Sequence, residues 1–196
     1  MKRLLDILFS IIGIIILSPL IAYISIRIKM DTTGNIFYKQ RRVGKNGIEF
    51  YLYKFRTMRA GSDTVDLLTN GNSDVRITGF GSFLRRYKLD ELPQLVNVLM
   101  GDMSIVGPRP EVKKYVDLYT AEQRNILDVK PGITDMASIT YIDENEILAL
   151  QPDPEQYYIE HIMPEKIKLN RVFITHPTVF NYFRIIALTI KKIATR

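Results

Sequence analysis

Asp90 and Glu91 stand side by side in the run Leu89-Asp90-Glu91-Leu92-Pro93-Gln94-Leu95, and Gly101-Asp102-Met103-Ser104 and Gly107-Pro108-Arg109-Pro110 follow. Paired carboxylates ahead of an arginine in a glycine- and proline-shaped loop suit a carboxylate that acts on a phosphate. A carboxylate can attack phosphorus to give an acyl phosphate, and arginine can hold phosphate through two parallel hydrogen bonds. Leu92, Leu95, Val96 and Leu99 have helical spacing, and Pro93 fits only if Asp90 lies close to the helix start. There the helix dipole would favour the ionised, nucleophilic form of Asp90. Gln94 and Asn97, four and seven residues on, would share its face and could bind a sugar phosphate or orient the acid. Glu91, about 100° round the helix, could serve as a base or as a metal partner. Two anions meeting a diphosphate need cations, and Mg²⁺ with oxygen ligands is the natural choice. Arg85 and Arg86 lie just upstream. The bland alternative makes Asp90 an N-cap and Glu91 a first-turn charge.

The elements that would position these residues are short. Ile36 to Gln40 and Ile48 to Phe55 read as strands, joined by a turn with Asn46-Gly47. Gly61 to Asp74 reads as a polar loop. Gly79 to Lys88 reads as a helix with Phe83 and Leu84 inside and Arg85, Arg86 and Lys88 outside, and Gly101 should end the next helix. Pro131-Gly132 reads as a turn, and Pro152, Pro154 and Pro164 segment the later helices. Thr178 to Ile193 reads as an amphipathic helix with Phe180, Phe183, Ile186, Ile190 and Ile193 on one face, suited to a membrane surface or to packing on the domain.

Composition narrows the chemistry. The chain has 196 residues, a net charge of +6 and no cysteine, so disulfides, thiolate nucleophiles and cysteine-based zinc sites are excluded. His161 and His176 lie far from the acidic pair and read as surface residues. Nine cations lie between Arg27 and Arg59, including Lys54 and Arg56, against Asp31 and Glu49. Such a patch attracts anionic lipid or phosphorylated substrates. Beside an apolar N-terminus these are favoured over nucleic acid.

Ile7 to Ile26 carries no charge over 20 residues, long enough to cross a bilayer. Both flanks are basic, with Lys2 and Arg3 before and Arg27 and Lys29 after, which holds both ends at the cytoplasmic face. Ser18-Pro19 sits in the middle. Proline removes a backbone hydrogen bond and bends a helix, and the Ser18 hydroxyl could satisfy the freed carbonyl. The expectation is a re-entrant helix–break–helix hairpin over residues 1–30, entering and leaving by one leaflet, with a straight span as the alternative.

With these residues in view, the chain resembles the small monotopic phosphoglycosyl transferases, bacterial sugar transferases that start glycan assembly on polyprenol phosphate. The matching pieces are Ser18-Pro19, Lys54-Phe55-Arg56-Thr57-Met58, Leu89 to Leu95, Asn97-Val98-Leu99, Gly101 to Ser104, Gly107 to Pro110 and Lys130-Pro131-Gly132-Ile133-Thr134. The resemblance implies that Asp90 attacks the β-phosphate of a UDP-sugar, releasing UMP and forming a phosphosugar–enzyme intermediate. Polyprenol (undecaprenyl) phosphate then takes the phosphosugar, giving polyprenol diphosphate-sugar. It also implies Mg²⁺ at Asp90, help from Glu91 with metal or proton, phosphate contacts from Arg109 and Arg85, and a basic role for Arg56 and Lys54. Downstream glycosyltransferases would use the product. The implied place is the cytoplasmic face of the bacterial inner membrane, and the chain is expected to be the family's minimal form.

After Thr134 the sequence leaves the family pattern: Asp135 to Tyr141 replaces a Gly-Leu-Ala-Gln-Val-Asn-Gly-Arg run, so no role carries over there and the sugar stays open. Asp143-Glu144-Asn145-Glu146 reads as a solvated acidic face, with a substrate-facing segment as the alternative. The expected architecture is α+β and mostly helical: the membrane hairpin, then a cytoplasmic catalytic domain over 31–196 with a short β-hairpin and surface amphipathic helices, including 178–193. The competing functions are a membrane glycosyltransferase releasing UDP and a non-catalytic scaffold.

Overall fold

The computed structural model describes residues 2–59, 61, 74–175 and 177–195. Its chain order is α1 (Lys2–Asp31), β1 (Phe37–Val43), β2 (Glu49–Phe55), α2 (Gly79–Arg86), α3 (Gln94–Met100), β3 (Ser104–Val106), α4 (Lys113–Val116), β4 (Gly132–Thr134), α5 (Met136–Thr140), α6 (Glu144–Ala149), α7 (Pro154–Tyr157), α8 (Met163–Thr175) and α9 (Val179–Ala194). The architecture is mostly helical α+β. The expected loop at 61–74 falls, apart from its two end residues, outside the described residues, as does His176; His161 is exposed.

α1 is one helix of 30 residues, and helical bonding continues through Ser18-Pro19 instead of breaking there. Proline has no N–H for the Ile15 carbonyl four residues back. The Ser18 hydroxyl donates to that carbonyl at 2.8 Å, so the helix loses no satisfied acceptor. α1 is the one helix among the described residues that is long and apolar enough to cross a membrane. One face packs on the rest of the chain at both ends. Near the start, Arg3 donates to the Val98 and Leu99 carbonyls at 2.5 and 3.0 Å, tying α1 to the C-terminal end of α3. Buried Asp6 accepts from the Ser104 hydroxyl, the Ile105 N–H and the Tyr182 hydroxyl. Those donors offset the cost of burying its charge. Near the far end, Ile24 and Ile28 form a core with Phe55 and Leu84. The opposite face, with Leu4, Leu8, Ile15, Ile16 and Ile26, is exposed.

The β1–β2 hairpin is antiparallel, with Tyr38 opposite Lys54 and Arg42 opposite Phe50. Its turn uses positive φ at Asn46 and Gly47, as the Asn-Gly signal requires. Alternation puts Tyr38, Gln40, Arg42 and Lys54 on one face. The second sheet, parallel β3–β4, was not legible in the sequence. Gly132 opens β4 instead of forming a turn with Pro131. A Cβ on Gly132 would lie 2.1 Å from the Gly107 nitrogen, so the two backbones touch only because both residues are glycine.

α2 starts where expected, capped by the Thr78 hydroxyl on Gly81 N–H, but its faces differ from expectation. Leu84 is buried, whereas Phe83 is 48% exposed, and Arg85 turns inward to donate to the Thr57 hydroxyl at 2.9 Å. Gly101 ends α3 with φ 96°. Asp153 caps α7, which runs through a wide turn at Tyr158–Ile162 into α8. α9 is capped by Thr178. It packs through Tyr182 and Ile185, with Ile186 alongside, and leaves Phe180, Phe183 and Ile190 exposed. The face expected to hold all five apolar residues is thus split between packing and exposure.

Candidate active site

Asp90 and Glu91 lie in a tight 3₁₀ turn, Leu89–Glu91, that precedes α3; Lys88 enters it with φ 56°. Asp90 therefore does not open the helix, and Pro93 occupies the position before Gln94. Both carboxylates are buried, 6 and 7% exposed. Their environments differ. Arg109 grips Glu91 with both guanidinium nitrogens, at 2.5 and 3.2 Å, and Lys54 reaches the same carboxylate at 3.2 Å. Burial penalises the Glu91 charge, but Arg109, Lys54 and Lys88 together outweigh it and hold the carboxyl well below the usual range. Asp90 has a buried Oδ1 with no hydrogen-bond partner. Burial pushes its pKa up, opposed chiefly by the Lys54 charge, and Glu91 pushes the same way as burial. The expectation that a helix dipole lowers Asp90 is thus reversed: desolvation decides, because the residue sits in a buried turn.

The Arg109 loop is fixed from two sides. Gly107 N–H donates to the Thr134 carbonyl and Gly132 N–H to the Pro108 carbonyl, at 3.0 and 2.9 Å. On the other side Val43 N–H donates to the Glu111 carbonyl, and Arg42 donates to the Pro110 carbonyl and the Glu111 carboxylate. The Tyr158 hydroxyl donates to the other Glu111 oxygen. Glu91 raises the Arg109 pKa further, so the guanidinium stays charged. Burial lowers Lys54 to about 8.

These residues border a cavity of about 280 Å³ that takes in Asp90, Glu91, Lys54, Arg56, Arg85 and Arg109. Nine lysines and arginines line it against six acids, so it attracts a polyanion. Arg56 is partly committed: it donates to the Thr33 and Thr32 carbonyls at 2.7 and 2.8 Å. Gln94 and Asn97 are buried and border neither this cavity nor the apolar chamber beside it. Asn97 accepts from Tyr53 N–H and donates to the Tyr51 carbonyl, pairing with the free edge of β2. Its side chain is occupied in holding α3 against the hairpin. Asp143 to Glu146, expected as a solvated face, border the cavity, and Glu144 pairs with Lys166 at 2.7 Å. Sequence reasoning missed Lys166, Glu111 and Tyr158, and favoured a solvated place for Glu144. Only Glu111, next to Pro110, carried a local signal.

A second chamber of about 410 Å³ adjoins the first. Its walls are mainly apolar, from Gly13 and Leu17 of α1, Leu95 of α3, Ile139 of α5 and Ile193 of α9. Glu91 and Arg109 border both spaces. The acceptor set for a divalent ion is narrow. Asp90 offers a free buried oxygen, whereas both Glu91 oxygens are taken by cations. No group of three or more acidic or histidine side chains gathers among the described residues. Of the two expected metal ligands, Asp90 is the one with an oxygen free to take part in holding Mg²⁺ together with substrate phosphates.

A buried acidic turn and an arginine loop thus border one cation-rich space and one mainly apolar space, the latter walled in part by the apolar helix α1. The family model described as bacterial sugar transferase matches residues 1–196, and the chain belongs to that family. It is 42% identical over 168 residues to a UDP-glucose:undecaprenyl-phosphate glucose-1-phosphate transferase of Xanthomonas campestris pv. campestris, covering 82% of this chain and 34% of that protein. It is 36% identical over 167 residues to a UDP-N-acetylgalactosamine-undecaprenyl-phosphate N-acetylgalactosaminephosphotransferase of Aeromonas hydrophila, covering 82% and 39%. It is 39% identical over 154 residues to the exopolysaccharide production protein ExoY of Sinorhizobium fredii, covering 71% and 68%. The chain thus spans little more than a third of the first two relatives.

Proposed function

We propose that this chain transfers a phosphosugar from a UDP-sugar to polyprenol phosphate through a covalent intermediate on Asp90. The observation that carries the reading is the unpartnered, buried Asp90 oxygen in a cationic cavity, beside a neighbour whose charge is already compensated. Two adjacent carboxylates are thereby set to different tasks. Glu91 holds Arg109 and Lys54 where a diphosphate arrives. Asp90 keeps a lone pair free to attack.

In the first step an Asp90 oxygen forms a bond to the β-phosphorus of the donor. The bond from that phosphorus to the bridging oxygen breaks, and UMP leaves with the electron pair. In the second step an oxygen of the lipid phosphate attacks the same phosphorus. The Asp90–phosphorus bond breaks and the carboxylate is restored. Arg109, Lys54 and Arg85 offset the phosphate charge in both steps. Mg²⁺, when bound at Asp90 and the phosphates, would add further charge neutralisation. The apolar chamber suits the first isoprene units of the acceptor, because it joins α1 to the catalytic turn. The names of the relatives, which act on UDP-sugars and undecaprenyl phosphate, support this reading.

The same reading puts both ends of α1 on the cytoplasmic leaflet, with Ser18-Pro19 as the deepest point. Arg3 and Asp6 at one end, and Ile24 and Ile28 at the other, pack on one catalytic domain. A straight span would separate those contacts by the bilayer. Cysteines placed at Lys2 and Lys29 should both react with a membrane-impermeant thiol reagent from the cytoplasmic side. Opposite accessibility would rule this topology out.

The reaction is tested by nucleotide release. Protein in detergent, Mg²⁺, a short polyprenol phosphate and a panel of UDP-sugars should yield UMP with the wild type and none with Asp90→Asn. UDP as the product would favour plain glycosyl transfer, and full activity of Asp90→Asn would sink the nucleophile assignment.

A further inference from the structure

The polar cavity and the apolar chamber meet along one wall: Lys88, Glu91, Arg109, Glu144, Asn145 and Lys166 border both. A lipid phosphate whose chain lies in the apolar chamber must present its headgroup there. The cations at this wall are unequally available, and the charge of Lys88, at the entry to the catalytic turn, acts on Asp90 and Glu91. Arg109 has two nitrogens on Glu91. Lys54, also on Glu91, borders the polar cavity alone. Lys166 is different: its side chain is only 12% exposed, and its one ion pair among the described residues is with Glu144 at 2.7 Å. The ammonium lies 5.2 Å from the centre of the Tyr158 ring. Tyr158 in turn donates to Glu111, beside the Arg109 loop.

Resting on the phosphosugar-transfer reading, we propose that Lys166 binds the phosphate of the lipid acceptor, with Glu144 holding the ammonium at the junction of the two spaces. An ammonium has three donors. One can stay on Glu144 while the others meet phosphate oxygens. Glu144 presents negative charge at the wall, so a phosphate dianion needs a cation there to approach. Lys166 is thus a binding residue for the second substrate, drawn from α8, far in sequence from the catalytic turn.

Steady-state kinetics of the full chain in detergent test this, with UDP-glucose or UDP-N-acetylgalactosamine as donor and a short-chain polyprenol phosphate as acceptor. Lys166→Met should raise the acceptor KM by about ten- to a hundredfold, the loss expected for one charge-assisted hydrogen bond. The donor KM should move less than about twofold. Lys166→Arg should recover most of the acceptor affinity, which a packing role would not allow. Glu144→Gln removes the competing charge and should lower the acceptor KM; it decides the matter independently if Lys166→Met does not fold. A raised donor KM with an unchanged acceptor KM, equal damage from Met and Arg, or a raised or unchanged acceptor KM in Glu144→Gln overturns the assignment. Wild type that releases UMP while Lys166→Met keeps its acceptor KM refutes Lys166 alone. Wild type that releases no UMP with any donor removes the underlying reading as well.

Discussion

The polar cavity and the apolar chamber share a wall but are assembled differently. Most of the charge at the centre of the cavity comes from compact runs: Lys54 and Arg56, Arg85 to Glu91, and Arg109 to Glu111. The chamber shares part of the Lys88–Leu95 run but takes most of its apolar wall from elements far apart in sequence, with Gly13 and Leu17 of α1, Leu95 of α3, Ile139 of α5 and Ile193 of α9. Ionic chemistry needs fixed geometry between few groups, and short turns supply it. An apolar space needs only surfaces of the right shape, which distant helices can provide. The reacting centre should therefore be sensitive to single charge changes. The chamber should be sensitive to volume.

The largest effect that would break this contrast is at Arg109. Arg109→Ala leaves Glu91 buried with one cation fewer. Loss of a partner from a buried pair costs about 3 kcal/mol or more, so the melting temperature should fall along with kcat. Arg109→Lys should keep much of the stability but not the two-point grip. Equal melting temperatures for wild type and Arg109→Ala would mean that Glu91 does not depend on this pair.

A smaller effect is expected in the chamber. Ile139→Trp adds an indole to its wall and should raise the acceptor KM by about tenfold, since overpacking or lost apolar contact costs about 1–3 kcal/mol. The donor KM should hold. If donor binding suffers instead, the two spaces are not divided by substrate.

The smallest is a pH effect. Burial lowers Lys54 to about 8, below its unfolded value, so the folded site loses this cation as pH rises through about 8. Activity should decline there, and stability should instead rise from about pH 8 to the unfolded lysine pKa, because the unfolded chain binds the extra proton in that window. Lys54→Arg keeps its charge and should move the alkaline limb upward. An unchanged pH–rate profile in that variant would remove Lys54 from the phosphate-binding set.

The contrast also explains what could be read from sequence. Asp90, Glu91, Arg109 and Arg85 come in contiguous runs whose chemistry is visible in their residue types, and the cavity contains all four. The hairpin was legible because Asn46-Gly47 enforces its turn. The β3–β4 pair was not: strands of three residues carry no periodicity, and their pairing depends on the contact of Gly107 with Gly132. Asn97 has the spacing of a site residue, but β2 offers it a free backbone edge, and that contact wins. Lys166 and Tyr158 had no local signal, because their position follows from how α8 folds back over the site.

The central claim is a covalent bond at Asp90. It is tested most directly by mixing the enzyme with Mg²⁺ and a responsive UDP-sugar without acceptor, then measuring the intact mass after a rapid quench. Wild type should gain the mass of one phosphosugar, mapped to the peptide containing Asp90, and lose it when polyprenol phosphate is added. Turnover to polyprenol diphosphate-sugar with no such adduct under any quench, or an adduct that persists in Asp90→Asn, would contradict the account.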